Sequence, residues 1–454
     1  MVTVDTYNEV TLKLSHTLAK SKKYEINAYL FVPGELQFSP QVISEKDFYY
    51  GAISQKHSYF SSDDYLPLVH SRLAKRGRLS TEQYRVSLSL FAYQYAVALK
   101  KSTNKLKTKK EDITQDDIDE VLDLALDILK RLRRSIPGDE TLNRYYENID
   151  NYLSWFTEQQ FLSLASSLNR GEDYKTLKNR LITIAEKETA HRRLRNYNSK
   201  TVQNDMIRLT NKMRLLRRLI EYPIVLKNKT KPLGDNMNRA AKGFATGLVM
   251  VFVTLSAILA RDYWGEITAS FIIMMSFIYA LREIFKDDLR DLLVKWNRKG
   301  KPKWKKKFFD PNTKHFVGEK LEWLDFKNIT SLPDAIRTIR KKRVVQKEEQ
   351  ILHYRAQVHM ATSHFLSGYD QTKESLIIDM RTFMRLMGKG SNLIYLVNNG
   401  QVSKEKVERR QLLNLIVQVD DADTKESHYY RWKIVISRHK IVSIEEIAKL
   451  PPLF

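Results

Sequence analysis

The sequence contains no cysteine among its 454 residues. This absence excludes disulfide bonds, thiolate metal sites and cysteine nucleophiles, and it suits a reducing compartment. The first residues lack a basic region followed by an apolar stretch, so we expect no cleavable signal peptide. Because 43% of the residues are hydrophobic, the composition is that of folded domains rather than of a disordered chain.

The familiar catalytic motifs are also missing. There is no serine nucleophile elbow, no His-Glu-x-x-His pair and no dinucleotide-binding fingerprint. His353 and His359 are six residues apart on one predicted strand, or about 20 Å, which matches no compact metal site. The stretch from Gly388 to Ser391 lacks the full phosphate-loop spacing. We therefore expect no metal and no cofactor, and an enzyme with an unrecognised site stays an alternative.

Two apolar runs stand out from an otherwise polar chain. Residues 243–260 and 267–281 carry no charge. The first covers about 27 Å as a helix, close to the roughly 30 Å of a bilayer core. The second covers about 22 Å and reaches that length only if its helix begins near residue 264. The sequence predicts a two-helix transmembrane hairpin with spans of about 243–260 and 264–281; the alternative is a buried hairpin in a soluble domain.

Positive charge is concentrated around these runs. The net charge of the chain is +24. Residues 192–231 contain twelve basic and two acidic residues, and residues 282–307 contain eleven basic and four acidic residues. Bases beside membrane helices stay on the cytoplasmic side and bind anionic headgroups. We therefore expect a membrane protein with both termini in the cytoplasm; nucleic acid is the less favoured partner. The residues chosen as headgroup contacts are Lys242, Arg282, Lys286 and Arg290.

Four further residues are candidates at the hairpin. Tyr263 and Trp264 are side chains favoured at the membrane interface, where we expect them to anchor the turn. Gly243 and Gly247, four apart, can bring two helices close together. A seam from Val202 to Ile220 repeats every 4, 3, 4, 3 and 4 residues, as in a coiled coil, although packing on its own domain is the preferred interpretation. A homo-oligomer is therefore possible.

The predicted fold class is an α+β membrane protein with two soluble parts. Residues 1–231 are expected to form a mainly helical domain with a short β start, namely paired strands at 10–14 and 26–32. Helix-start signals follow at Ser44, Ser80 and Thr114. Residues 232–298 form the hairpin and its cytoplasmic extension.

Residues 304–454 are expected to form an antiparallel α+β domain. Clean alternation predicts strands at 352–360, 413–419 and 430–436. A tight turn is expected at Asn399-Gly400, and helical material around 375–387.

The order of these segments is similar to that of uncharacterised bacterial inner-membrane proteins. The similarity covers the β start, the segment from Tyr29 to Leu36, the hairpin and the stretch from Tyr430 to Glu446. It is one of layout: it implies a location in the bacterial inner membrane, but no activity and no functional residues. The sequence favours a non-enzymatic protein that holds two cytoplasmic domains at the bilayer for scaffolding, signalling or interaction. A membrane-tethered nucleic-acid-binding or defence protein is the alternative.

Overall fold

A computed structural model describes residues 2–18, 23–60, 80–109, 114–168, 174–264, 269–298, 300–340, 349–366, 369, 371–388, 391–398, 401–421 and 426–450. Its strands, in chain order, are β1 (Val2–Asn8), β2 (Thr11–Leu18), β3 (Lys23–Pro33), β4 (Ile53–Phe60), β5 (Lys227–Pro232), β6 (Trp304–Phe309), β7 (Phe316–Lys327), β8 (Glu349–Met360), β9 (Gln371–Asp379), β10 (Ser391–Asn398), β11 (Gln401–Glu408), β12 (Arg410–Asp421), β13 (Ser427–Ser437) and β14 (Ile441–Leu450).

These strands form three antiparallel sheets. One has four strands in the order β1-β2-β9-β4, and one has eight in the order β14-β13-β12-β3-β8-β7-β6-β5. The third is a two-stranded ribbon of β10 and β11. The architecture is thus mixed α/β with large antiparallel sheets and 33% strand.

The helices are α1 (Glu45–Ala52), α2 (Thr81–Lys109), α3 (Gln115–Arg133), α4 (Glu140–Ser167), α5 (Lys175–Leu194), α6 (Lys200–Gln203), α7 (Met206–Glu221), α8 (Asp235–Trp264), α9 (Ala269–Arg298), α10 (Asp334–Arg340) and α11 (Arg381–Leu386). The three predicted helix starts are confirmed. Ser44 accepts a hydrogen bond from the Asp47 amide, Ser80 from the Gln83 amide, and Thr114 forms a full capping box with Asp117. These local signals hold because a cap satisfies amides within one turn.

The N-terminal region is strand-rich, so the prediction of a mainly helical domain with a short β start is wrong. β2 and β3 lie at the two predicted strands, but they do not pair with each other. β2 pairs with β1 and β9, and β3 pairs with β12 and β8. Residues 1–231 and 304–454, predicted as separate parts, thus contribute strands to the same two sheets. Strand partners more than 300 residues apart leave no local signal in the sequence.

β3 is buried on both of its faces. Ile26 and Leu30 belong to the core between the two large sheets, together with Leu12 and Leu376. On its opposite face, Phe31 packs in a second cluster that includes residues of α10. Burial on both faces explains why this strand is an almost continuous apolar run rather than an alternating one.

The helices α2 to α7 form a layer joined to the same core. The seam of α7 is used within the chain, since Met213, Leu216 and Ile220 are all buried in that core. Packing on its own domain, one of the two interpretations of the seam, is therefore what the structure contains. A bridge between Ser58 and Val225 attaches the end of this layer to β4.

The C-terminal strands lie where the alternation of apolar and polar residues predicts them. β8, β12 and β13 contain the three predicted segments. The register places Asn398 opposite Gln401, as expected for a turn at Asn399-Gly400, two residues outside the described part. The predicted helix at 375–387 is wrong in its first half, where β9 continues to Asp379 because its alternate side chains face the core.

The prediction of a two-helix transmembrane hairpin is wrong. α8 and α9 pack side by side, but in the described residues only one helical segment, Met237–Asp262, is long and apolar enough to cross a membrane. α9 does not qualify because its second half carries Arg282, Glu283, Lys286 and further charges. A charged side chain at mid-membrane depth costs about 3 kcal/mol on insertion scales.

Candidate functional site

α8 presents its large apolar side chains outward. A narrow stripe of small and β-branched residues, Ala245, Val249 and Val253, is buried. Val249 and Val253 pack with Ile278 of α9, next to Met275 and Leu289. A helix of a water-soluble domain buries its broad apolar face instead. The exposed set on α8 comprises Phe244, Met250, Val251, Phe252, Leu255, Ile258 and Leu259.

The charged half of α9 lies beside the apolar part of α8. A cleft of about 600 Å³ between the two helices is lined by Leu248 and Phe252 of α8, and by Arg282, Phe285 and Asp288 of α9 among others. Because the helices run antiparallel, residues of α9 beyond Arg282 lie near the base of α8. On α8 itself, the stretch without charge runs from Gly243 to Ala260 and ends at the exposed Arg261 and Asp262.

The predicted headgroup residues differ in their surroundings. Lys242 is exposed on the first turns of α8. Lys286 forms an ion pair with Glu283 at 3.0 Å, and Arg290 pairs with Asp287 at 2.8 Å and Asp291 at 3.0 Å. Arg282 lies over the Tyr279 ring at 5.7 Å. The acids of α9 thus neutralise much of the positive charge that the sequence analysis assigned to this helix.

A second basic surface lies at the base of α8, on the edge strand β5 and its neighbour β6. The register sets Lys229 opposite Lys307 and Lys231 opposite Lys305, so these four side chains share one face. Lys227 follows on the same face, because alternate residues of a strand point to the same side. We call Lys227, Lys229, Lys231, Lys305 and Lys307 the lysine face.

Few acids accompany the lysine face. Lys305 pairs with Glu319 at 2.8 Å, whereas every residue of β5 is exposed to solvent. Like charges placed directly opposite each other on a sheet are destabilising. An anionic ligand would relieve this repulsion. In the sequence these lysines belong to two separate basic flanks, and only strand pairing brings the two segments onto one face.

The remaining predicted residues are less informative. α8 runs through Tyr263 and Trp264, whose side chains lie outside the described part. A Cβ added at Gly243 or Gly247 would meet no atom within 4 Å. Both glycines are on the side of α8 turned away from the Ala245 stripe, since two residues rotate the helix by about 200°. They are therefore not used for packing within this chain.

His353 is buried, stacks on Tyr29 with ring centroids 4.3 Å apart, and its Nε2 lies 3.0 Å from Asn27. Burial lowers the pKa of His353 to about 3. In the described parts of the chain, no group of three or more His, Asp or Glu residues could hold a metal ion.

A cluster of buried charges joins the two large sheets. Lys320 of β7 is completely buried and contacts Glu374 of β9, with Glu322 at 3.2 Å. Glu322 also pairs with Lys306 of β6 at 3.1 Å. Glu322 further accepts hydrogen bonds from Tyr354 at 2.5 Å, Gln55 at 2.5 Å and Tyr49, and Tyr24 donates to Glu374 at 3.1 Å. We call Lys306, Lys320, Glu322 and Glu374 the ion cluster.

The charges of the ion cluster compensate one another. Burial disfavours a charged Glu322, but Lys320 and Lys306 outweigh it and hold the pKa of Glu322 at about 2. Burial likewise opposes the charge of Lys320, yet Glu374 and Glu322 raise its pKa. Lys320, Glu322 and Glu374 are therefore held in their charged forms, whereas burial lowers the pKa of Lys306. Such a balanced network fixes the alignment of the sheets, and no sequence motif marks it because its members come from separate strands.

The helical layer has a network of its own around Asp150. Its carboxylate accepts hydrogen bonds from Arg133 Nε at 3.1 Å and Tyr197 OH at 2.8 Å, and His191 Nε2 lies 2.8 Å from it. Both terminal nitrogens of Arg133 also donate hydrogen bonds to the carboxylate of Glu188. Burial raises the pKa of Asp150, but these partners outweigh it and the pKa is lowered. The network links α3, α4 and α5.

No family model matches the chain, and no curated protein or solved structure matches it. Its function is therefore argued from its own residues.

Proposed function

We propose that this chain is an integral protein of the bacterial inner membrane, embedded in the bilayer from the cytoplasmic side by the apolar surface of α8, and that its sheets and helical layer form a cytoplasmic platform for scaffolding or signalling. The observation that carries the proposal is the outward-facing apolar surface of α8, on a helix long and apolar enough to cross a membrane. Water-soluble monomers rarely expose so many neighbouring large apolar side chains.

The topology supports a single cytoplasmic location for both termini. The segment of α8 and α9 leaves the eight-stranded sheet at β5 and returns to it at β6, and the Leu233 amide donates to the Lys303 carbonyl at 2.8 Å. Residues before and after this segment share both large sheets. This pairing favours one side of the bilayer for all of the folded part, so α8 enters and leaves the membrane by the same face instead of crossing it alone. The lysine face beside α8 favours the cytoplasmic side, where bases are retained.

Membrane fractionation tests the proposal. After expression of the full chain in bacterial cells, we expect to find the protein in the membrane pellet. It should resist extraction by high salt and by alkaline carbonate, and it should enter solution with detergent. High salt releases proteins held by charge alone, because it screens ion pairs. Recovery of a monodisperse protein from the supernatant without detergent would contradict the proposal.

Anionic lipid is the proposed ligand of the lysine face. Replacing Lys227, Lys229 and Lys231 together by alanine should weaken binding of phosphatidylglycerol about 100-fold, since each base near the surface contributes about 1 kcal/mol. Native mass spectrometry of the detergent-solubilised protein measures this as the loss of lipid adducts, with phosphatidylcholine as the neutral reference.

The matched control is replacement of Lys100, Lys101 and Lys105, three exposed lysines of α2, by alanine. This variant removes the same charge and should keep its lipid adducts. Equal losses in both variants would mean that net charge, rather than the lysine face, binds the lipid. Binding of duplex DNA that depends on β5, with unchanged lipid adducts, would favour the nucleic-acid alternative instead.

A further inference from the structure

The β10–β11 ribbon is a two-stranded sheet on its own. In the described residues, neither of its outer edges pairs with another strand. Its large apolar side chains are exposed on both faces, namely Leu393, Ile394, Tyr395, Leu396 and Val397 on β10, and Val402 and Val407 on β11. A two-stranded hairpin without further packing is marginally stable in water. Among the residues that the structure describes, none covers these exposed side chains.

The two edges of the ribbon differ in charge. β11 has the sequence QVSKEKVE, with four charged residues along its length, whereas β10 has the sequence SNLIYLVN, with none. Charged side chains on an edge strand are how proteins prevent another strand from adding to it. The β11 edge carries this protection and the β10 edge does not.

We propose that β10 is an assembly edge that pairs, antiparallel, with β10 of a second copy of this chain. The result is a closed four-stranded sheet of order β11-β10-β10-β11. This proposal goes beyond membrane attachment and does not depend on it.

The sequence of β10 is self-complementary under a two-fold axis. With the axis at Tyr395, Leu393 lies opposite Val397 of the other copy, and Ile394 lies opposite its Leu396. All of these pairs are apolar, and the two tyrosines meet at the centre. Aromatic and β-branched pairs of this kind stabilise antiparallel strands. A two-fold axis at Glu405 of β11 would instead set Lys404 opposite Lys406 of the other copy and Glu405 opposite the other Glu405.

This asymmetry also limits the assembly to two copies. A two-fold interface uses the same surface of both partners. Once two β10 edges are paired, the outer strands are both β11, whose lysines and glutamates resist further addition. An extended apolar ribbon without charges would instead continue into a fibre. A lipid surface fits less well, because an open sheet edge would leave its backbone groups unpaired in hydrocarbon.

Backbone geometry allows a matched test. In an antiparallel pair, residues that exchange both backbone hydrogen bonds alternate with residues that exchange none. Asn398 and Gln401 close a two-residue connection and are of the bonded kind, so Tyr395 and its opposite residue Lys404 are not. Their amides therefore point outward, Tyr395 on the β10 edge and Lys404 on the β11 edge. Proline at either position removes only the outward amide. The backbone hydrogen bonds between β10 and β11 stay intact.

The experiment compares Tyr395→Pro with Lys404→Pro in the full, detergent-solubilised chain. Sedimentation velocity should give a wild-type particle with twice the 53.4 kDa protein mass. Tyr395→Pro should raise the dissociation constant at least about tenfold, since two-fold symmetry removes two intermolecular hydrogen bonds. Lys404→Pro should leave it unchanged. A monomeric wild type at about 50 μM, or equal effects of the two substitutions, would overturn the proposal.

A second pair guards against a folding defect. Val397 and Val402 are directly opposite, are 73% and 69% exposed, and are also of the outward kind. Val397→Pro should weaken the dimer and Val402→Pro should not, with equal thermal unfolding midpoints. If both variants of a pair lose vesicle binding while the wild type is monomeric, the ribbon contacts lipid and the dimer proposal fails.

Cross-linking tests the register. The chain has no cysteine, so Tyr395→Cys introduces a single thiol. A two-fold axis at this residue brings the two Cα atoms to about 5.5 Å, within disulfide reach. Mild oxidation should give a covalent dimer faster than it does for Lys404→Cys. A Tyr395→Cys rate no greater than that of Lys404→Cys would overturn the proposal.

Discussion

Replacing Lys320 by methionine should lower the free energy of unfolding by about 3 to 5 kcal/mol, because it leaves Glu374 buried without its cation. Lys320 is completely buried and contacts both Glu374 and Glu322. Denaturation by urea, followed by tryptophan fluorescence of the solubilised protein, measures the change as a lower midpoint.

Two further variants separate the effect of losing this ion pair from the effect of losing any lysine. Lys327→Met, at the end of the same strand and only partly buried, should change stability by less than about 0.5 kcal/mol. The double variant Lys320→Met with Glu374→Leu should recover part of the loss, because removing both partners removes the unpaired charge. A double variant as unstable as the sum of both single changes would show that the pair is not coupled.

The same cluster sets an acid limit on stability. Since the pKa of Glu322 falls from 4.5 to about 2 on folding, its contribution is complete above about 4.5 and is lost as the pH falls toward 2. Lys320 has the opposite sign, because its pKa is raised: its contribution is lost as the pH rises above its ordinary value of 10.5. In Lys320→Met the acid loss should be smaller, since Glu322 no longer has that base beside it.

Replacing Val251 and Leu255 of α8 by aspartate should release the protein from the membrane. Both side chains are exposed apolar residues, 67% and 53% accessible, within the candidate span. Each carboxylate at the centre of a membrane helix costs about 2.5 to 3.5 kcal/mol, so the pair costs about 5 to 7 kcal/mol. Carbonate extraction should then recover most of the variant in the supernatant.

The control places the same two carboxylates on a helix that faces water. Ile207 and Leu215 of α7 are 75% and 61% exposed, comparable with the α8 pair. Their aspartate variant should remain in the membrane pellet and should unfold at the wild-type midpoint. A carbonate-resistant α8 variant would contradict insertion of this helix, whereas release of both variants would indicate a general effect of added charge.

Local features could be predicted from the sequence because their causes are local. The capping residue Thr114 acts within one turn, and its capping box with Asp117 is present as expected. The alternation in β8, β12 and β13 is likewise a property of each strand alone. The ribbon turn between Asn398 and Gln401 needs only two residues with the right backbone preference.

Sheet membership could not be predicted in the same way. The run in β3 reads equally as half of a local hairpin or as a central strand, and only the burial of both faces selects its distant partners. The lysine face was divided between two segments of sequence, 227–231 and 305–307, until strand pairing joined them. Lys306, counted only among the bases that flank the apolar runs, is buried in the ion cluster.

The sequence by itself determined the apolar character of α8, the basic residues on either side of the helical pair and the starts of the helices, because these depend on composition and on contacts within one or two turns. Only the tertiary structure decided that a single segment qualifies as a span, that the chain's two ends share their sheets, and that β10 is left without a neighbour. The physical reason is that strand pairing and the compensation of buried charge join residues hundreds of positions apart, and no local pattern specifies those partners.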